Sequence, residues 1–247
     1  MKYDEVVSLG YNCEVSFRIE QYFGKINAMP FSWTFELDRE LFVAALDNIE
    51  DLFTGEVELY EDQMILDKKY RIKFHPRYEV LRKYGTPTEE TYNECVEELR
   101  GRTAHLKSKF AKLMSGDKST LFIMKVQDLG EDDNIAYINK VMQVLLKRYA
   151  SGKFTLAAVF EKNALTEKTV GLETEYAGGQ LKIRGIKKFA PKKHTDIMGD
   201  IRGWKKVIRE LTGEPDSGYG GWLARRRLQW FSSAVKRRFA KLKHMSQ

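Results

Sequence analysis

Residues 121–126, Leu-Phe-Ile-Met-Lys-Val, and residues 154–160, Phe-Thr-Leu-Ala-Ala-Val-Phe, are two apolar runs of strand length. Between them, residues 132–149 carry apolar side chains at helical spacing, and Gly152 follows as a helix-stop signal. Strand, helix and strand with short connections indicate a βαβ unit, in which the strands run parallel and the helix covers one face of the sheet. These residues therefore predict the α/β class with a mostly parallel sheet.

The rest of the chain extends this pattern on both sides. The other predicted elements are a strand at 5–10, helices at 13–22 and 39–49, a strand pair within 56–74, a long helix at 88–114 and a strand at 181–189. We therefore expect one α/β domain over residues 1–221, Rossmann-like and in three layers, with the sheet flanked by helices. Residues 222–247 are expected to form a basic amphipathic C-terminal helix.

Composition excludes several classes of protein. With 247 residues, 43% of them apolar and 31% charged, the chain can bury a sizeable core and is not globally disordered. No apolar run approaches the roughly 18–20 residues of a membrane-spanning helix, and the first residues do not resemble a secretory signal. Two cysteines cannot form a disulfide scaffold or a four-cysteine zinc site. We expect a cytoplasmic protein without a metal or cofactor.

The positive charge is concentrated at one end of the chain. The whole chain has a net charge of +7, but residues 222–247 contain eight Lys or Arg and no Asp or Glu, which leaves −1 for residues 1–221. On a helix this segment forms an apolar stripe flanked by cations and tryptophans, a pattern suited to an anionic membrane surface. Its candidate membrane-binding residues are Trp222, Arg226, Trp230, Phe231, Arg237 and Phe239. The alternative is that the stripe packs on the domain or on a partner; nucleic acid is not an expected partner.

A cysteine stands where the first predicted strand gives way to a helix. Gly10 ends the strand, Asn12 is a good N-cap, and Cys13 begins the helix. The unpaired N–H groups and the positive end of the helix dipole favour a thiolate there, and they could also bind an oxyanion. The alternative is that Cys13 is a small buried core residue.

The sequence around this cysteine resembles a bacterial family that is described as papain-like cysteine peptidases and often occurs with surface-polysaccharide genes. The resemblance rests on residues 8–17, Ser-Leu-Gly-Tyr-Asn-Cys-Glu-Val-Ser-Phe, followed by Met-Pro-Phe-Ser-Trp at 29–33. Phe74-His75 matches a histidine after a short strand, and Arg100-Gly101-Arg102 loosely matches a basic pair on a helix. The likeness covers roughly residues 5–126. Ser32 departs from the pattern, because the family has an acid there.

The resemblance implies a Cys–His site with Cys13 as nucleophile and His75 as base. From the residues themselves, His194 is a second candidate base, because it follows the last predicted strand and has Asp196 two positions on. The candidate oxyanion and substrate-binding residues are Asn12, Gly10, Ser32, Trp33 and Arg102.

The leading functional hypothesis is a cysteine-nucleophile hydrolase or acyltransferase in cell-surface polysaccharide metabolism, held at the inner membrane face by residues 222–247. Its substrate would be an acyl-bearing or glycan-linked molecule with an ester, thioester or amide bond. One alternative is a nucleotide-sugar or phosphoryl transferase that binds its nucleotide at the strand ends. The other is a non-enzymatic, membrane-peripheral assembly module in which Cys13 is structural.

Overall fold

The computed structural model describes residues 3–24, 27–60, 64–74, 89–126, 131–149, 153–161, 169–186 and 200–213. Within them lie nine strands and five α-helices. The strands are β1 (Glu5–Ser8), β2 (Thr34–Glu36), β3 (Val57–Tyr60), β4 (Met64–Asp67), β5 (Ile72–Phe74), β6 (Thr120–Val126), β7 (Phe154–Glu161), β8 (Glu173–Tyr176) and β9 (Gly179–Ile186). The helices are α1 (Cys13–Phe23), α2 (Arg39–Asp47), α3 (Glu89–Ser115), α4 (Glu131–Arg148) and α5 (Ile201–Thr212).

The larger sheet has five strands in the order β1-β6-β7-β9-β8. The first four strands are parallel, and β8 closes the sheet as an antiparallel hairpin partner of β9. Every residue of β6 is buried, as expected for a parallel strand that is covered on both faces. The predicted mixed α/β fold with a mostly parallel sheet and flanking helices is confirmed.

Alternation along the parallel strands divides the core between two faces of this sheet. On one face, Phe122 and the apolar side chains of the neighbouring strands that point the same way pack with residues of α2, α3 and α4. On the other face, Ile123 and the apolar side chains that point the same way pack with α1 and α5, and Trp204 of α5 is fully buried there. The helices α1 and α5 thus lie together on one face of the sheet, close to the end of β1.

A second sheet was not predicted. Residues 56–74 contain three strands rather than the expected pair, and they join β2 in a four-stranded antiparallel sheet of order β2-β5-β4-β3. The strands β2 and β5 have three residues each, which is too short for an alternating pattern to show in the sequence. The pairing of β5 with β2 and with β4 could therefore not be predicted from the local sequence. This sheet contributes Ile65, Ile72 and Phe74 to the core on the α2–α4 side.

The other predictions agree with the structure to within about two residues at most helix and strand ends, which is the usual scatter of boundaries. The helix α5 and the strands β2 and β8 were missed. Residues 187–189 of the strand predicted at 181–189, and all of the basic tail at 222–247, lie outside the described residues. None of the helices in the described ranges is both long and apolar enough to cross a membrane.

Candidate functional site

A strained turn carries the chain from β1 into α1 at the carboxyl edge of the larger sheet. Gly10 has φ +90° and Tyr11 has φ +71°, both in the left-handed region. Gly10 also lies in a tight space, since a Cβ atom there would come within 2.6 Å of Glu36 Oε1 and 3.1 Å of Thr34 Oγ1. The turn therefore requires glycine at position 10 for its conformation and for its close contact with β2.

Asn12 caps the helix as the sequence predicts. Its Oδ1 accepts a hydrogen bond from the N–H of Glu14 at 2.9 Å, which uses one of the orphan donors of the first turn. The amide nitrogen is then the side-chain donor that Asn12 can offer to a ligand. Cys13 is the first residue of α1, in the position that the sequence analysis gave it.

The electrostatics of Cys13 differ from the expectation. The side chain is half-buried, and burial raises the pKa of the thiol to about 11, although a hydrogen bond from its own backbone N–H acts in the opposite direction. Burial of the sulfur thus opposes the lowered thiol pKa that the sequence analysis expected, and it outweighs the effect of the backbone N–H. Reaction at this sulfur needs a base that removes the proton.

An aromatic pair lies along α1 one turn beyond the cysteine. The rings of Phe17 and Trp33 meet edge to face with centroids 5.0 Å apart, and both side chains are half-exposed. Since residues four apart share one face of a helix, Phe17 and Cys13 share a face. Trp33, which the sequence analysis named as a candidate substrate-binding residue, therefore packs on a residue of that helix face.

Glu36, the last residue of β2, makes hydrogen bonds to the backbone of the strained turn. Its Oε1 accepts the N–H of Tyr11 at 2.5 Å, and its own N–H donates to the carbonyl oxygen of Tyr11 at 3.4 Å. Tyr137 of α4 donates its hydroxyl to Oε2 at 3.2 Å. Burial raises the pKa of Glu36 to about 8, although these two donors and the nearby Arg39 lower it.

A buried charge network lies on the other side of the turn. Lys125 Nζ at the end of β6 is 2.7 Å from Glu14 Oε2 and 3.1 Å from Glu161 Oε1. Trp204 of α5 donates its indole N–H to the other oxygen of Glu14 at 2.7 Å. Burial acts to lower the pKa of Lys125, but the two carboxylates outweigh it and the pKa is raised. The first turn of α1 is thereby tied to β6, β7 and α5.

The phenol of Tyr11 lies between these two groups of charges. Burial raises its pKa, and Lys125, Glu161, Glu36 and Arg39 all act on it electrostatically. The residue is half-buried and follows Gly10 in the turn that leaves the carboxyl edge of the sheet. This makes Tyr11 a candidate substrate contact that the motif alone did not reveal.

One of the predicted residues, Ser32, has other surroundings than expected. Ser32 is fully buried, and its hydroxyl oxygen accepts the N–H of Met29 at 2.8 Å, so it stabilises a local turn and does not face a ligand. Arg102 lies half-buried midway along α3. His75, His194 and Asp196 lie outside the described residues.

The residues that the sequence analysis missed are Tyr11, Glu36, Lys125, Glu161 and Trp204. One of them had a local signal: Lys125 is the single charged side chain within an apolar strand. Its partners come from distant parts of the chain, so the signal pointed to a buried charge but not to what it binds.

A separate cavity opens at the carboxyl end of β9, beside the start of α5. Its volume is about 620 Å³, within the usual range of small-molecule sites. Three cations line it, Arg184, Arg202 and Lys206. Two carboxylates, Asp200 and Glu210, also line it, and Arg184 pairs with Glu210 and with Glu173, so the cavity has mixed charge.

The described residues contain no group of three or more His, Cys, Asp or Glu side chains that could hold a metal ion. Comparison of the chain with protein-family models, curated proteins and solved structures found no match.

Proposed function

We propose that the chain is a cysteine-dependent hydrolase or acyltransferase in which Sγ of Cys13 attacks an ester, thioester or amide carbonyl. The observation that carries the proposal is the position of Cys13: it is half-buried at the first turn of α1, which a four-residue turn joins to the end of the parallel strand β1. Ligands of open α/β sheets bind at this edge, and helix N-terminal donors stabilise an oxyanion. Phe17, one turn along α1 from Cys13, packs against Trp33 and gives this helix face an apolar surface.

The reaction requires proton transfer, because the thiol pKa is about 11. A base accepts the thiol proton as the sulfur attacks the carbonyl carbon, and the leaving group takes up a proton as it departs. Water or an acceptor hydroxyl then releases the acyl group from sulfur. His75 is the base that we favour, since Phe74, the residue before it, pairs with Thr34, and the Thr34 hydroxyl lies beside Gly10.

Turnover of acyl thioesters and activated esters tests this proposal. We expect Cys13→Ala to lower kcat/KM by at least about 100-fold, because the covalent route is lost. The matched control is Cys95→Ala, at the second and buried cysteine, which we expect to stay within about twofold of wild type. Equal activity of the wild type and Cys13→Ala would reject Cys13 as the nucleophile.

We further propose that the enzyme works at the inner membrane face on substrates of surface-polysaccharide metabolism. The eight cations of residues 222–247 each contribute about 1 kcal/mol near an anionic surface. Sedimentation with anionic vesicles should therefore retain the full chain and lose a chain that ends at Gly221. Equal sedimentation of the two would exclude the tail as the anchor.

A second candidate is a nucleotide-sugar or phosphoryl transferase, and the cavity beside α5 favours it. Its cations and its position at a strand end suit a pyrophosphate group. If this is correct, a nucleoside diphosphate sugar or pyrophosphate should raise Tm by about 2–4 °C, and Arg202→Ala with Lys206→Ala should abolish the shift. The control pair is Lys68→Ala with Lys69→Ala, on the second sheet. A shift that is absent, or equal in both double variants, would exclude this candidate.

A further inference from the structure

The helix α1 is accessible to solvent along one narrow stripe. Seven of its 11 residues are buried, and the four that keep some exposure are Cys13, Phe17, Glu20 and Phe23. Successive steps of four, three and three residues place these four on one face of the helix. We call this face the α1 stripe. It begins at Cys13 and follows the helix axis.

Trp33 borders the α1 stripe, and local hydrogen bonds hold it there. In the turn before it, the Met29 N–H donates to Ser32 Oγ at 2.8 Å and the Ser32 N–H donates to the Met29 carbonyl oxygen at 3.0 Å. Thr34, the next residue, begins β2. The Trp33 ring then meets the Phe17 ring edge to face, with centroids 5.0 Å apart. Because the pair is already formed, a ligand that lies on it does not have to order it first.

Helix geometry sets the order in which a group bound to the sulfur meets the α1 stripe. Side chains of a helix lean towards its N-terminus, so the Phe17 ring covers the turn that contains Cys13. The rise from Cys13 to Phe17 is about 6 Å, and Glu20, the first charged residue of the stripe, lies about 10 Å along the axis. A chain that extends from the sulfur along the stripe therefore meets aromatic rings before it meets a charge.

We propose that the α1 stripe binds the acyl chain of the substrate, and that Phe17 and Trp33 select an alkyl chain over an acetyl group. This inference rests on the proposed role of Cys13 as nucleophile and adds to it the class of acyl donor. A methylene group that is covered on one side gains about half of the free energy of full burial, which strengthens its binding about twofold. A hexanoyl chain should therefore be strongly preferred.

The test compares two alkylating reagents on the full chain, iodoacetamide and its N-hexyl derivative. Peptide mass spectrometry reads Cys13 and Cys95 separately, and each rate is divided by the rate of the same reagent with N-acetylcysteine. On this scale we expect the N-hexyl reagent to react with Cys13 at least about tenfold faster than iodoacetamide. Cys95, which is buried in α3, should show no preference beyond about twofold.

Alanine variants assign the preference to the aromatic pair. Phe17→Ala and Trp33→Ala should each reduce it to about a third of the wild-type value, and the double variant should reduce it to about twofold. The matched control is Leu172→Ala, at a 46% exposed apolar side chain just before β8, which should retain the full preference. The preference is a ratio of two rates on one protein, so a loosened fold that exposes the thiol changes both rates together.

Equal corrected rates of the two reagents at Cys13 of the wild type would overturn the proposal, whether or not the variants fold. A preference that survives in the double variant would overturn it as well. In turnover, the kcat/KM for a hexanoyl thioester should exceed that for an acetyl thioester by about 15-fold. Turnover that depends on Cys13 but shows no such preference would reject this inference alone. A labelling preference without any turnover would instead reject the proposed function.

Discussion

Replacement of Gly10 by alanine is expected to lower the free energy of unfolding by about 2–4 kcal/mol, because two separate costs add. The residue has φ +90°, and a Cβ atom would lie 2.6 Å from Glu36 Oε1, 3.1 Å from Thr34 Oγ1 and 3.2 Å from the carbonyl oxygen of Phe31. One of these three atoms belongs to the backbone, so the crowding cannot be relieved by side-chain rotation alone. Urea unfolding followed by circular dichroism measures the loss.

Alanine substitutions at two other glycines distinguish the conformational cost from the cost of crowding. Gly213 has φ +71° with open space around it, so Gly213→Ala should show the conformational cost alone, about 1 kcal/mol. Gly101 lies within α3, also with open space around it, and Gly101→Ala should raise the unfolding free energy by about 0.5–1 kcal/mol. A Gly10→Ala variant no less stable than Gly213→Ala would show that the turn is not packed against β2 as described.

Replacement of Lys125 by methionine is expected to have the largest effect on stability of any charge change considered. The lysine side chain is 10% exposed and is shared by Glu14 and Glu161, which are 6% and 18% exposed. Methionine would leave two carboxylates facing each other without a cation. Breaking a buried pair in this way typically costs 3–5 kcal/mol, and we expect a loss in that range at pH 7.

Lys118→Met provides the matched control: its Nζ lies 2.6 Å from Glu5 Oε1, but the lysine is 57% exposed, so the cost should be at most about 1 kcal/mol. Chemical unfolding at pH 7 measures both variants. Similar losses for the two would contradict a buried network at the start of α1.

The larger sheet could be predicted because the sequence patterns that define its central strands are local. The apolar runs of β6 and β7 and the helical spacing of α4 each lie within one stretch of sequence, and short connections leave one sensible pairing. The helix α5 had a usable signal as well. Trp204, Val207, Ile208 and Leu211 recur at helical spacing between Asp200 as N-cap and Gly213 as C-cap. That helix was missed although its pattern was legible.

The second sheet and the surroundings of Cys13 were not predictable in this way. The strand β2 has three residues, too few for a period of two to show, and it is defined by its pairing with β5. Glu36 meets Tyr11 and Tyr137 across 25 and 101 positions of sequence. The motif around Cys13 correctly indicated strand, turn, N-cap and helix, but burial, which reverses the expected shift of the thiol pKa, depends on contacts that the motif does not contain.

The assignment that matters most to the site is Cys13 as nucleophile. Nucleophilic catalysis requires that an acyl group become attached to sulfur.

Trapping the acyl-enzyme tests the central claim most directly. The full chain is incubated with an acyl thioester, quenched in acid and analysed by intact mass and peptide mapping. We predict one acyl adduct on Cys13 in the wild type and in Cys95→Ala, and no adduct in Cys13→Ala. A wild-type chain that carries no adduct, or carries it on Cys95 as readily as on Cys13, would contradict Cys13 as the nucleophile.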